Sequence, residues 1–336
     1  MKKSLKRLFA AGLTAAMVMS MGMTAFAYKA EGGVSVGVDS NNNAVVAADE
    51  SSVAIYKIYT ATGSNAVNPA ETFKFAIEAV GQSKVESGIK AEDFMPTFAS
   101  TVEIDNITYG TVSYEKGEAD VDGNKKPLTL NLPEYTSVGI YEYKITEVDN
   151  EYSGVTYFNR EITLKVTVVQ DPDNTNGKLR IAAVHCEEAN GTKIDEFDNV
   201  YTAGQLSVEK TVTGNLGDKN KAFKVYVTFE SPEDGTTVMS DITYNVAGGA
   251  EQIINGNWTG THDRVEVELK HGDTVVFKNI PDGVKYTVVE DDSYATNDAY
   301  DAAQYSDELK STPATKDNTQ VSANGLSGTI NETEFL

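Results

Sequence analysis

A few side chains in this 336-residue sequence sit among neighbours that do not suit them. In an extended strand, residues two apart share a face. Val53, Ile55, Lys57 and Tyr59 therefore fall together, three core types and one lysine. Tyr141, Tyr143, Ile145 and Glu147 put a glutamate on an apolar face, and Phe197, Asn199 and Tyr201 do the same for an asparagine. Further along, Leu206, Val208, Lys210 and Val212 share a face, as do Val284, Tyr286, Val288 and Glu290. A charged amine resists burial on its own. The pattern admits a buried Lys–Glu ion pair, a lysine snorkelling out at a strand edge, or an amine held inside to react.

The elements that position these groups read as all-β. Apolar alternation recurs, as in Ile162, Leu164, Val166 and Val168, and turn chemistry separates the runs. Asp171-Pro172-Asp173-Asn174-Thr175-Asn176-Gly177 reads as a hairpin turn. Its aspartates are out of register with a calcium loop, and no closing glutamate follows. Asp120-Val121-Asp122-Gly123-Asn124 is another turn. A boundary is expected near Thr202-Ala203-Gly204-Gln205. Each half has a first strand with a central lysine, then a Phe-Lys strand (Thr72-Phe73-Lys74-Phe75; Ala222-Phe223-Lys224-Val225), then a late strand ending in glutamate. This weak repeat points to two tandem immunoglobulin-like β-sandwiches, residues 28–203 and 204–336.

The N-terminus has the form of a secretory signal peptide over residues 1–27. Lys2, Lys3, Lys6 and Arg7 precede an apolar run from Leu8 to Met23, and Ala25-Phe26-Ala27 offers a cleavage site before Tyr28. No later stretch is apolar and long enough for a membrane span. The formal charge is −22, and without the leader 24 basic residues face 50 acidic ones. Such a balance argues against a nucleic-acid partner. Cys186 is the single cysteine and reads as a core or edge thiol. His185, His262 and His271 are spread without metal-ligand spacing, so neither a metal nor a cofactor is expected.

These segments resemble the pilin isopeptide-linkage domains of Gram-positive backbone pilins. The resemblance rests on Lys57 in a first strand, on Tyr141-Glu142-Tyr143-Lys144-Ile145-Thr146-Glu147, and on Phe197-Asp198-Asn199. Lys210 and Tyr286-Thr287-Val288-Val289-Glu290 are the matching parts of the second half. Leu269-Lys270-His271-Gly272-Asp273, with Asn279 through Tyr286, is similar to collagen-adhesin B-type domains. The resemblance implies an autocatalytic crosslink from Lys57 to Asn199, with Glu147 as the proton-handling group. It implies the same roles for Lys210 and Glu290. It also implies a secreted, non-enzymatic shaft subunit of a cell-wall pilus. A sortase would join identical subunits, with tip and base pilins as further partners. Lys193, in Asn190-Gly191-Thr192-Lys193, is the expected sortase acceptor, although it stands one residue nearer the asparagine than the family spacing.

The second half departs from the family at its end. Gly328 through Leu336 reads as a last strand that stops short. Matching Phe335 to Phe197 puts the reactive asparagine just beyond Leu336, with Asn331 as the fallback in a shifted register. Two other readings compete: an adhesin or tip pilin built from the same domains, and a secreted carbohydrate-active protein.

Overall fold

The computed structural model describes residues 51–305 apart from 64, 84–87, 121, 171–177, 233–237, 257 and 298–299, together with the strand segments 36–38, 44–46, 307–308, 317–318 and 326–330. The expected signal peptide, the Asp171–Gly177 turn and Asn331 through Leu336 lie outside the described residues.

The chain folds as two β-sandwiches in tandem. In the first, β1 (Ser52–Gly63) lies between β4 (Asn124–Asn131), antiparallel, and β9 (Glu196–Glu209), parallel. The facing sheet contains β2 (Glu71–Ser83), β3 (Ile107–Tyr114), β5 (Gly139–Val148), β7 (Ile162–Gln170) and β8 (Leu179–Glu187), in the order β8-β7-β5-β2-β3. Val53, Ile55, Tyr59, Phe73, Phe75, Tyr141, Tyr143, Ile145 and Phe197 from both sheets fill the space between them. Side-chain alternation places these residues inward, and burying each large one contributes about 1.5–3 kcal/mol. A short strand, β6 (Val155–Thr156), pairs with β9 opposite Val200 and Tyr201.

β9 does not stop where the sequence suggested a boundary. Its first half pairs with β1 as far as Ala203 opposite Gly63. Its second half pairs antiparallel with β13 (Thr274–Pro281) of the second sandwich. One sheet thus runs through both domains. Gly63 is needed where the strands part: its φ is +101°, and a Cβ there would lie 1.9 Å from the Ala203 carbonyl oxygen. Asn279 fastens the joint from the other side. Its Oδ1 accepts from Tyr201 Oη–H at 3.1 Å and from Val67 N–H at 2.8 Å, and its Nδ2 donates to Asp241 O at 2.8 Å.

The second sandwich repeats most of the first. β11 (Ile242–Val246) and β13 extend the shared sheet. The facing sheet is β12 (Val265–Leu269), β10 (Phe223–Glu230), β14 (Lys285–Glu290) and β15 (Leu326–Thr329), in that order. β10 sits between β12 and β14 as β2 sits between β3 and β5. β13 pairs with the first strand as β4 pairs with β1. β15 lies antiparallel on β14 as β7 lies on β5.

The expected last strand, Gly328 through Leu336, is described only as far as Ile330. β15 stands in the place of β7, not of the asparagine-bearing strand. Thr329 is opposite Lys285, and Ile330 N–H donates to Val284 O. That is the end of β14 away from Glu290, six strand positions or roughly 20 Å distant. Ile330 itself therefore lies far from Glu290. The counterparts of β8 and of the first half of β9 are not found among the described residues.

Candidate crosslinking site

Lys57 and Asn199 are both fully buried, and the Glu147 side chain has no exposure. They come from three strands: Lys57 from the middle of β1, Glu147 from the end of β5, Asn199 from β9. Lys57 Nζ donates to Glu147 Oε2 at 3.3 Å and to Phe197 O at 3.0 Å. Asn199 Nδ2 donates to Glu147 Oε1 at 2.5 Å. One carboxyl group thus holds the amine with one oxygen and the carboxamide nitrogen with the other.

The carboxamide oxygen has a different partner. Asn199 Oδ1 accepts from Phe158 N–H at 3.0 Å. A backbone N–H can only donate, so this contact fixes which way the carboxamide points. Phe73 lies under the amine, with Lys57 Nζ 4.5 Å from the ring centroid. The Phe197 ring packs between Phe75 and Phe158, with centroids 4.8 and 5.0 Å away.

This setting moves both ionisable groups toward their neutral forms. Burial lowers the Lys57 ammonium to about 8, against the pull of Glu147. Burial likewise raises the Glu147 carboxyl to about 7, against Lys57 and the Asn199 hydrogen bond. Taking charge out of water is the dominant cause for each. Near neutral pH the pair can hold an uncharged amine and a protonated acid, the states that nucleophilic attack on an amide requires.

A second buried carboxylate lies nearby. Glu71, at the start of β2, accepts from Tyr157 Oη–H at 2.6 Å and from Asn150 Nδ2 at 2.9 Å, both at Oε1. Tyr59 Oη–H reaches its Oε2 at 3.5 Å. Burial raises its pKa, while these donors favour the anion. Sequence reasoning passed over Glu71, although Glu71, Phe73 and Phe75 share one face by the alternation that flagged Lys57. The Phe158 N–H leaves no trace in side-chain pattern, and no sequence signal could have found it.

The second sandwich holds the matching pair. Lys210 Nζ lies 2.6 Å from Glu290 Oε2 and 4.3 Å from the Phe223 ring centroid. Phe223 thus repeats the role of Phe73. The two side chains keep 15% and 12% exposure, so the pair is wetter than the one at Lys57. Among the described residues, no asparagine reaches it.

Lys193 lies between β8 and β9 with its side chain 48% exposed, and Nζ is 2.5 Å from Glu187 Oε2. Glu187 also receives Lys165 Nζ, at 2.5 Å. Cys186 is buried, and burial pushes its thiol well above the ordinary range, which leaves it unreactive. His271 Nδ1 accepts from Val212 N–H at 3.0 Å, a structural use of that ring.

Residues 53–202 match the model of the Spy0128-like isopeptide containing domain, and residues 204–333 match a domain of unknown function, DUF7601. A protein named "Pilin" from Streptococcus pyogenes serotype M1 is 26% identical over 242 residues, which is 70% of this chain and 67% of that protein. The major pilin protein (T3.2) from Streptococcus pyogenes shares the fold, with a TM-score of 0.50 at 18% identity over 86% of this chain and 95% of that one. The major pilin from Streptococcus pyogenes is matched with a TM-score of 0.49 at 22% identity, over 86% and 96% of the two chains. A lysine, a carboxyl and a carboxamide are thus closed inside a domain that matches the Spy0128-like isopeptide containing domain, in a chain similar to a pilin over 70% of its length.

Proposed function

We propose that this chain is the shaft subunit of a surface pilus and that its first domain locks itself by an amide bond between Lys57 and Asn199. The observation that carries this reading is the Glu147 carboxyl, which bridges Lys57 Nζ and Asn199 Nδ2 in a site closed to water. The neutral amine attacks Cγ of Asn199. Glu147 takes a proton from Nζ at Oε2 and delivers one to Nδ2 from Oε1. The C–Nδ2 bond breaks, ammonia leaves, and Nζ is joined to Cγ. Atoms balance with no other reactant, and Glu147 ends as it began. The fold supplies the encounter, which can remove about 7–11 kcal/mol of the barrier. Each chain reacts once, so the protein is a structural subunit and not an enzyme with turnover.

Secretion follows from the signal-peptide pattern, and the cell wall of a Gram-positive bacterium is the proposed location. Identical subunits are the proposed partners, joined by a sortase through Lys193. That lysine gives the crosslink a mechanical sense. Load arriving at Lys193 enters β9 close to its start and continues along the same strand into the second domain. The Lys57–Asn199 bond ties β9 to β1 near the point of entry, so the strand cannot be peeled from the first sandwich.

The intact mass of the purified protein tests this. One ammonia less than the sequence mass, with a Lys57–Asn199 linked peptide after digestion, is expected. An unchanged mass would falsify the crosslink.

A further inference from the structure

The carboxamide of Asn199 is gripped at both ends, and only one grip belongs to Glu147. The other is Phe158 N–H, in the segment between β6 and β7. Attack on Cγ makes a tetrahedral intermediate with the negative charge on Oδ1. Glu147 is occupied with Nζ and Nδ2, the proton donor and the leaving group. The charge on Oδ1 therefore falls to the backbone donor, already 3.0 Å away and buried. A fixed donor in a dry site needs no reorganisation as the charge develops, which makes such groups effective.

The same segment is clamped from below. Tyr157, the residue before Phe158, donates its hydroxyl to Glu71 Oε1 at 2.6 Å, and that oxygen also receives Asn150 Nδ2. The Tyr157 hydroxyl in turn lies 3.3 Å from Tyr152 N–H, which donates to it. The Phe158 ring packs edge-on against Phe197, two residues before Asn199. Glu71, buried on β2, thus ties the core of the facing sheet to the segment that carries the donor.

We infer that Phe158 N–H is the oxyanion donor of the crosslinking reaction, and that Glu71 and Tyr157 are positioning residues that hold it on Asn199 Oδ1. The inference rests on the crosslink proposed above. It assigns the catalytic backbone group to a segment with no lysine, glutamate or asparagine of the reacting set.

The test follows ammonia loss by intact mass after cell-free synthesis of the full chain. Replacing Phe158 by phenyllactic acid through nonsense suppression turns its N–H into an ester oxygen and keeps the ring. Removing one such donor is expected to slow crosslinking by about 10²–10³-fold. Tyr157→Phe keeps the ring and loses the clamp, and a smaller slowing is expected. In the ester background Tyr157→Phe should add nothing further, because its effect runs through the missing N–H. A general loosening of the fold would instead add to the ester's effect. An ester variant that folds and crosslinks at the parent rate overturns the oxyanion role. A Tyr157→Phe protein at the parent rate, or additive effects, overturns the clamp. No ammonia loss in the parent chain is a separate result, and it would remove the crosslink itself.

Discussion

Lys57 and Asn199 lie on neighbouring parallel strands, two positions out of step: Phe197 stands opposite Lys57, and Asn199 opposite Tyr59. The offset leaves the Phe197 carbonyl facing the lysine amine and puts the carboxamide further along, where the end of β5 brings in Glu147. Because β1 opens the first domain and β9 closes it, a bond between these residues joins the domain's two ends.

Lys57→Ala and Asn199→Ala are expected to fold and to lose resistance to heat and protease. A link across a loop longer than about 100 residues constrains the unfolded chain by about 5 kcal/mol, taking disulfides as the guide. Glu147→Ala should retain both partners and leave them unjoined. Mass spectrometry and thermal melts check all three, and efficient linkage in Glu147→Ala would rule out its proton-handling role.

The rate of ammonia loss should be bell-shaped in pH. The neutral Lys57 fraction rises with pH through about 8. The protonated Glu147 fraction falls with pH through about 7. The product of the two peaks between these values. Freshly synthesised chain shifted into buffers across this range would show it. A rate that keeps climbing through pH 10 would mean that the protonated acid is not required.

The second sandwich should be the softer domain and should contribute no ammonia loss. Lys210 and Glu290 are held as an ion pair, a weaker constraint than a covalent link. Glu290→Ala should cost about 2 kcal/mol, less than for a fully buried pair because both side chains keep some exposure. Asn331→Ala should change neither mass nor melting, since Ile330 sits at the far end of β14 from Glu290. Calorimetry and limited proteolysis of the two domains check this, and a native Lys210–Asn331 link would refute it.

Asn279→Ala should loosen the joint between the domains. The side chain satisfies Tyr201 Oη–H, Val67 N–H and Asp241 O at once, and its backbone has a φ of 57°. Leaving those groups unpaired is expected to cost about 2–3 kcal/mol. Calorimetry should show the two transitions moving apart. An unchanged profile would show that the shared strand alone couples the domains.

Lys193→Arg keeps the positive charge and removes the usable amine. Co-expression with a sortase should then give monomer in place of the polymer ladder. An unchanged ladder would assign the acceptor role to another lysine.

The sequence by itself determined which side chains turn inward. The pleat has a period of two, a local property, so Lys57, Glu147, Asn199, Lys210 and Glu290 could be placed on apolar faces with no knowledge of any partner strand. The same rule covers Glu71, which waited only to be read. The tertiary structure decided which faces meet. Strand order and register come from pairing between distant segments, and alternation carries no record of them. For that reason β9 continues from one sandwich into the next, and β15 takes the place beside β14 that β7 takes beside β5. The Phe158 donor was the least legible of all: every residue but proline carries a backbone N–H, and only the folded chain aims this one at Asn199.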